Sequence, residues 1–174
     1  MRKILILTIC FLSAIFLVAQ ENPFAPLDFM IGSWSGTGTG FGNATSKIES
    51  DCRPIMNGQY IHFTNHSIFE PTERNPEGEY HEDLGIISYD KKRNQLIYRQ
   101  FNIEGYVNRY ILNDSLSNDS TLIFETEFIE NFVEGGKARI TIRKTGTDAL
   151  ETVFEVSMPG REFACFGTNQ LRRE

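Results

Sequence analysis

At 174 residues, 40% of them hydrophobic and 23% charged, the chain is long enough for one domain with a substantial core and too short for two. Seventeen Lys and Arg against 23 Asp and Glu set the formal charge at −6, and no basic run is longer than Lys91–Arg93, which argues against nucleic acid or an anionic membrane surface as a partner. Signatures of catalysis are thin: the sequence holds no GxSxG elbow, HExxH pair, CxxC pair or glycine loop opening a helix.

The first segment to read is the amino terminus. Arg2 and Lys3 precede an apolar run from Ile4 to Val18, and Ala19 leads into the polar Gln20, Glu21 and Asn22, the order of a secretory signal peptide. Residues 1–19 are therefore expected to be removed on export, leaving 20–174 as a single domain that is periplasmic or secreted and not membrane-bound. The apolar run is short for a span of roughly 20 residues, and Leu7, Thr8 and Ile9 ahead of Cys10 lack the small residue that lipid processing needs. Losing Arg2 and Lys3 takes the charge to −8. Cys52 and Cys165 remain. An oxidising compartment permits a disulfide if the fold brings them together; the favoured expectation is two buried, unpaired thiols on separate strands.

Pro23 and Pro26 keep the entry extended, and Pro26 to Met30 is expected to form a turn or helical lid over one end of the domain. The stretch FMIGSWSGTGTG, Phe29 to Gly40, then sets Trp34 among Gly32, Gly36, Gly38 and Gly40, the pattern of a first strand that bends across a sheet with Trp34 plugging its end. Beyond it every periodic segment has a period near two. The predicted strands are Ser33–Gly40, Ser46–Ile55, Gln59–Phe69, Tyr80–Tyr89, Gln95–Ile103, Tyr106–Leu112, Thr121–Ile129, Ala138–Lys144, Leu150–Met158 and Phe163–Arg172. Short connections rich in Gly, Asn and Asp join them into a meander. Ten meandering strands with no crossover helix remove their edges by closing, so the predicted fold is all-β, a ten-stranded antiparallel up-and-down barrel with a cavity; a two-sheet sandwich is the alternative. The loop Glu70 to Glu79 belongs at a barrel mouth.

If Glu104-Gly105 is a two-residue turn, Ile103 faces Tyr106, Phe101 faces Asn108, Arg99 faces Tyr110 and Ile97 faces Leu112. That set is the more aromatic face and is expected to point inward, with Arg99 and Tyr110 as a polar spot suited to an anionic group; a solvent-facing Arg–Tyr pair is the alternative. His62 and His66 share a face with Tyr60 and Thr64 and stand about 13 Å apart at roughly 3.3 Å per residue, too far to share a metal. They face outward or each offers one contact to a bound molecule. His81, beside Glu79, Glu82 and Asp83, has the composition of a weak metal site, although acidic loops are more often only solvated.

Two segments carry a resemblance. IGSWSGTGTG, with its GxWxGxG core, and HEDLGIISYD from His81 to Asp90 resemble the nitrobindin-like barrels and their lipocalin-like relatives. The resemblance implies a calycin-like barrel with heme or another hydrophobic ligand inside, and places His81 and Glu82 near the mouth. It also implies a heme histidine in the last strand, where Phe163 to Arg172 has none; Cys165 is the only thiolate candidate there. The expected function is binding of a small hydrophobic or amphipathic ligand, heme or lipid-like, with Trp34, His62, His66, Arg99 and Tyr110 as lining candidates. An enzyme on the same scaffold and a non-catalytic interaction module are the alternatives.

Overall fold

The computed structural model describes residues 22–40, 44–73 and 75–174. The predicted signal peptide, Cys10 included, lies outside the described residues. Ten strands follow one 3-10 helix, Ala25–Met30: β1 Gly32–Gly40, β2 Ala44–Ile55, β3 Tyr60–Phe69, β4 Glu79–Asp90, β5 Gln95–Asn102, β6 Val107–Leu112, β7 Thr121–Glu130, β8 Lys137–Gly146, β9 Ala149–Ser157 and β10 Ala164–Arg173. These are the ten predicted strands in the predicted order, with ends shifted by at most two residues. Each pairs antiparallel with its sequence neighbour, and β1 pairs with β10 to close the barrel.

Alternation decides what each strand contributes. On β4 the inward row is Glu79, His81, Asp83, Gly85 and Ile87; on β5 it is Leu96, Tyr98, Gln100 and Asn102; on β6 it is Asn108, Tyr110 and Leu112. The lower part of this interior is solid. Leu27 and Met30 of the 3-10 helix pack with Cys52, Ile61, Ile87, Leu96, Leu112 and Leu122, so the helix seals one end as expected of that segment. Trp34 anchors the seal. It is 2% exposed, its Nε1 donates to the Met30 carbonyl at 2.8 Å, and the Arg173 guanidinium lies 4.2 Å over its ring. Arg173 also donates to the carbonyls of Phe29 and Ile31, so the end of the chain holds the exit of the helix against the first strand.

The β5–β6 hairpin departs from the predicted register. Asn102 N–H donates to the Tyr106 carbonyl and Gly105 N–H to the Asn102 carbonyl, with Gly105 at φ +88°, so the loop has three residues, Ile103 to Gly105, and not two. One added loop residue reverses one strand relative to the other. Tyr98 therefore pairs with Tyr110, Arg99 with Arg109 and Gln100 with Asn108. The inward face predicted for β6 stands, and that of β5 is inverted.

Candidate functional site

The end opposite the helical seal is open and leads into a cavity of about 460 Å³, reached past the end of β1 and the connections β5–β6, β7–β8 and β9–β10. Its wall has two chemical halves. On the side of β7 to β10 it is mainly apolar, built from Ile129, Ala138, Ile140, Ile142, Phe154, Val156 and Phe166, with Thr152 and Asn169 as its polar members. On the side of β3 to β6 it carries Asn65, Ser67, Glu79, His81, Asp83, Gln100, Asn102, Glu104 and Asn108 beside Phe63, Phe69 and Tyr98. A β-bulge shapes the apolar half. Between Arg109 and Tyr110 the pairing on β7 steps from Phe128 to Thr126, so the inward series of Leu122 and Phe124 changes parity, leaving Phe128 60% exposed while Ile129 enters the wall.

The polar half is a connected network. His81 stands between two carboxylates, with Nδ1 2.6 Å from Glu104 Oε1 and Nε2 3.2 Å from Asp83 Oδ1. The hydrogen bond to Asp83 and the charges of Asp83 and Glu104 outweigh burial and raise the His81 pKa to about 9, so at neutral pH the ring donates from both nitrogens. Asn102 Nδ2 donates to the same Asp83 oxygen. Asn108 Nδ2 bridges Asn102 Oδ1 at 3.1 Å and Gln100 Oε1 at 3.3 Å, and Tyr110 Oη donates to Gln100 Oε1 at 2.9 Å. Across the floor Tyr98 stacks on Tyr110 with ring centroids 5.4 Å apart. Burial pushes both phenols well above their usual range, keeping them neutral. Tyr98 differs from Tyr110 in one respect: its hydroxyl has no hydrogen-bond partner. The ring fits because β4 has glycine opposite it; a Cβ at Gly85 would lie 2.4 Å from Tyr98 Cε2.

Of the residues singled out in the sequence, the structure gathers few in the cavity. Tyr110 is fully buried beneath it. Arg99 is on the outer face, donating to Ser88 Oγ at 2.9 Å and paired with Arg109, so the expected Arg99/Tyr110 spot does not form; the three-residue loop separates them. Trp34 belongs to the sealed end and not to the cavity wall. His62 and His66 point outward, because Phe63, Asn65, Ser67 and Phe69 hold the inward positions of β3; His66 lies 3.6 Å from Glu82 and packs on Tyr80. His81 is in the wall at the open end, while Glu82, one residue on, faces out toward His66. Cys52 is buried, but Cys165 is exposed, a correction to the expectation of two buried thiols, and the two are unpaired. The sequence marks Asp83 only as an acidic neighbour of His81, and Asn102, Glu104 and Asn108 are not among its site candidates, because the four converge across three strands only once the register is fixed.

These residues do not fit an iron-bound heme. The one histidine in the wall has both ring nitrogens engaged by carboxylates, and the charged wall residues beside it are Glu79, Asp83 and Glu104, which oppose propionates. Cys165 is on the outer surface. Among the described residues, no three His, Cys, Asp or Glu side chains form a group able to hold a metal ion.

No protein-family model matches the sequence, and no curated protein matches it. Among solved structures the chain is similar to Rv2717c from M. tuberculosis, with a TM-score of 0.66 at 16% identity, covering 87% of this chain and 97% of that one. A de novo designed fluorescence-activating β-barrel also aligns, with a TM-score of 0.43 at 12% identity over 84% of this chain and 95% of the design. The first likeness is one of fold: a ten-stranded antiparallel barrel.

Proposed function

We propose that this protein is an exported, nitrobindin-like barrel that holds a small amphipathic molecule in its interior without iron and without acting on it chemically. The observation that carries the reading is the division of a cavity of about 460 Å³ into an apolar wall and a wall of hydrogen-bonding and charged groups. The apolar half removes a hydrocarbon body from water at about 25 cal/mol per Å²; the polar half orients its head. A holding role suits His81 better than catalysis does, since an imidazole held protonated by two carboxylates is a poor general base at neutral pH. Export is supported by the charge, apolar core and small-residue order of residues 1–22.

Native mass spectrometry of the protein purified from an exporting host, followed by titration with the neutral dye Nile red, tests the reading. A co-purifying small mass or a saturable dye signal is expected, and Ile140→Trp, which fills the apolar half, is expected to weaken dye binding at least about tenfold. A protein that carries no mass and takes up no dye, or a variant that binds as tightly as the parent, would sink it.

A further inference from the structure

We propose that the ligand of this cavity is a cationic amphiphile, an alkylamine or alkylammonium whose charged head lies against Asp83 and Glu104 while its chain lies along β7 to β10. The inference rests on the cavity being a ligand site and assigns that site its chemistry. Among the described residues four charged side chains line it, Glu79, His81, Asp83 and Glu104, and no Lys or Arg does. Three carboxylates against one imidazolium leave the polar end net negative. An anionic head entering there meets that field in a low-dielectric wall, whereas a cation is drawn to it.

The acids are held open by geometry as well as charge. Asp83 is only 8% exposed, and the bonds it receives from His81 and Asn102 both end on Oδ1, so Oδ2 is the acceptor left to a ligand. Tyr98 supplies a second, independent sign of a missing polar partner. It is 2% exposed, lines the cavity, and its hydroxyl is unpaired. That oxygen would lie 2.9 Å from a Cβ at Gly85, the next inward position after Asp83, so it stands on the same strand face as the carboxylate. The Tyr98 oxygen is closed off from the cavity surface, so an ammonium beside Asp83 meets it only once the ring turns toward the carboxylate.

Chain-matched ligands separate this proposal from the broader one. Decylamine, decanol and decanoate are titrated into the protein at neutral pH by competition against Nile red. Decylamine is expected to bind at least about tenfold more tightly than decanol, and decanoate more weakly than either. Asp83→Asn and, in the half-exposed turn where folding is less at risk, Glu104→Gln are each expected to shrink the amine-over-alcohol ratio by several-fold, with thermal melts confirming that both variants fold. If all three ligands bind but decylamine has no advantage, or decanoate binds best, the cationic assignment falls and the ligand cavity stands. If none of the three displaces the dye, the cationic assignment falls, and the broader reading stands or falls on the dye titration and the Ile140→Trp variant.

Discussion

His81 draws its proton affinity from two side chains brought in by different routes, Asp83 from its own strand and Glu104 from the β5–β6 turn. Its pKa is about 9 in the folded protein against about 6.5 for an unperturbed histidine. Below pH 6.5 folded and unfolded chains both hold this proton, and the full stabilisation is present. Between 6.5 and about 9 only the folded chain holds it, so the unfolded state binds fewer protons and stability falls as pH rises. Above about 9 the contribution is gone. The loss amounts to about 3 kcal/mol, with Glu79, Asp83 and Glu104 as the acidic groups lining the same wall. Thermal melts from pH 6.5 to 10 should show this decline, and His81→Gln should remove most of its slope. An imidazole proton signal titrating near 6.5 would contradict the geometry, because it would mean that neither carboxylate holds the ring.

The element on which closure depends is β1, whose small residues let the first and last strands meet. At Gly36 a Cβ would fall 1.9 Å from the Gln170 carbonyl oxygen and 3.0 Å from the Leu171 Cα, backbone that cannot yield without moving β10. At Gly40, on the same strand, the nearest atom to such a Cβ is 3.6 Å away, an ordinary contact. Gly36→Ala is thus expected to cost about 3 kcal/mol or more in urea unfolding and Gly40→Ala no more than about 0.5 kcal/mol; equal costs would show that the seam is not where the strands are tightest. The glycine and tryptophan pattern of β1 was legible because each residue acts where the backbone itself is crowded or sealed. The same holds for the ten strands, since a period of two and turn chemistry are local properties. What could not be read was which face of β5 points inward, because that depends on whether the loop after Asn102 has two residues or three. Nor could the bulge on β7, which moves Ile129 into the wall and Phe128 out of it, be found by alternation. The polar network inherits this dependence: Gln100, Asn102 and Asn108 are unremarkable along the chain and become neighbours of Asp83 only through β4–β5 and β5–β6 pairing.

In the molecule as a whole, stability and binding occupy opposite ends of one barrel. The sealed end contains the 3-10 helix, Trp34 and a cluster of fully buried side chains, among them Leu27, Met30, Ile87 and Leu122, none of which lines the cavity. The open end holds the charged residues and the mouth, where Tyr106 and Phe132 meet edge to face with centroids 5.8 Å apart and Asn131 donates to the Gly105 carbonyl at 2.7 Å, tying two turns together. A closed β-sheet connects the two ends, so damage to the seal lowers the stability of the whole fold without reshaping the wall that selects a ligand. Leu27, with no exposed surface, tests this division. Leu27→Ala removes the central apolar contact of the seal and is expected to cost about 2 to 5 kcal/mol in chemical unfolding. Measured at a temperature where the variant remains folded, its preference for decylamine over decanol should match that of the parent. A seal variant that lost this preference along with its stability would show that the cavity is held in shape from below, and that its selectivity belongs to the barrel as a unit rather than to the side chains at its mouth.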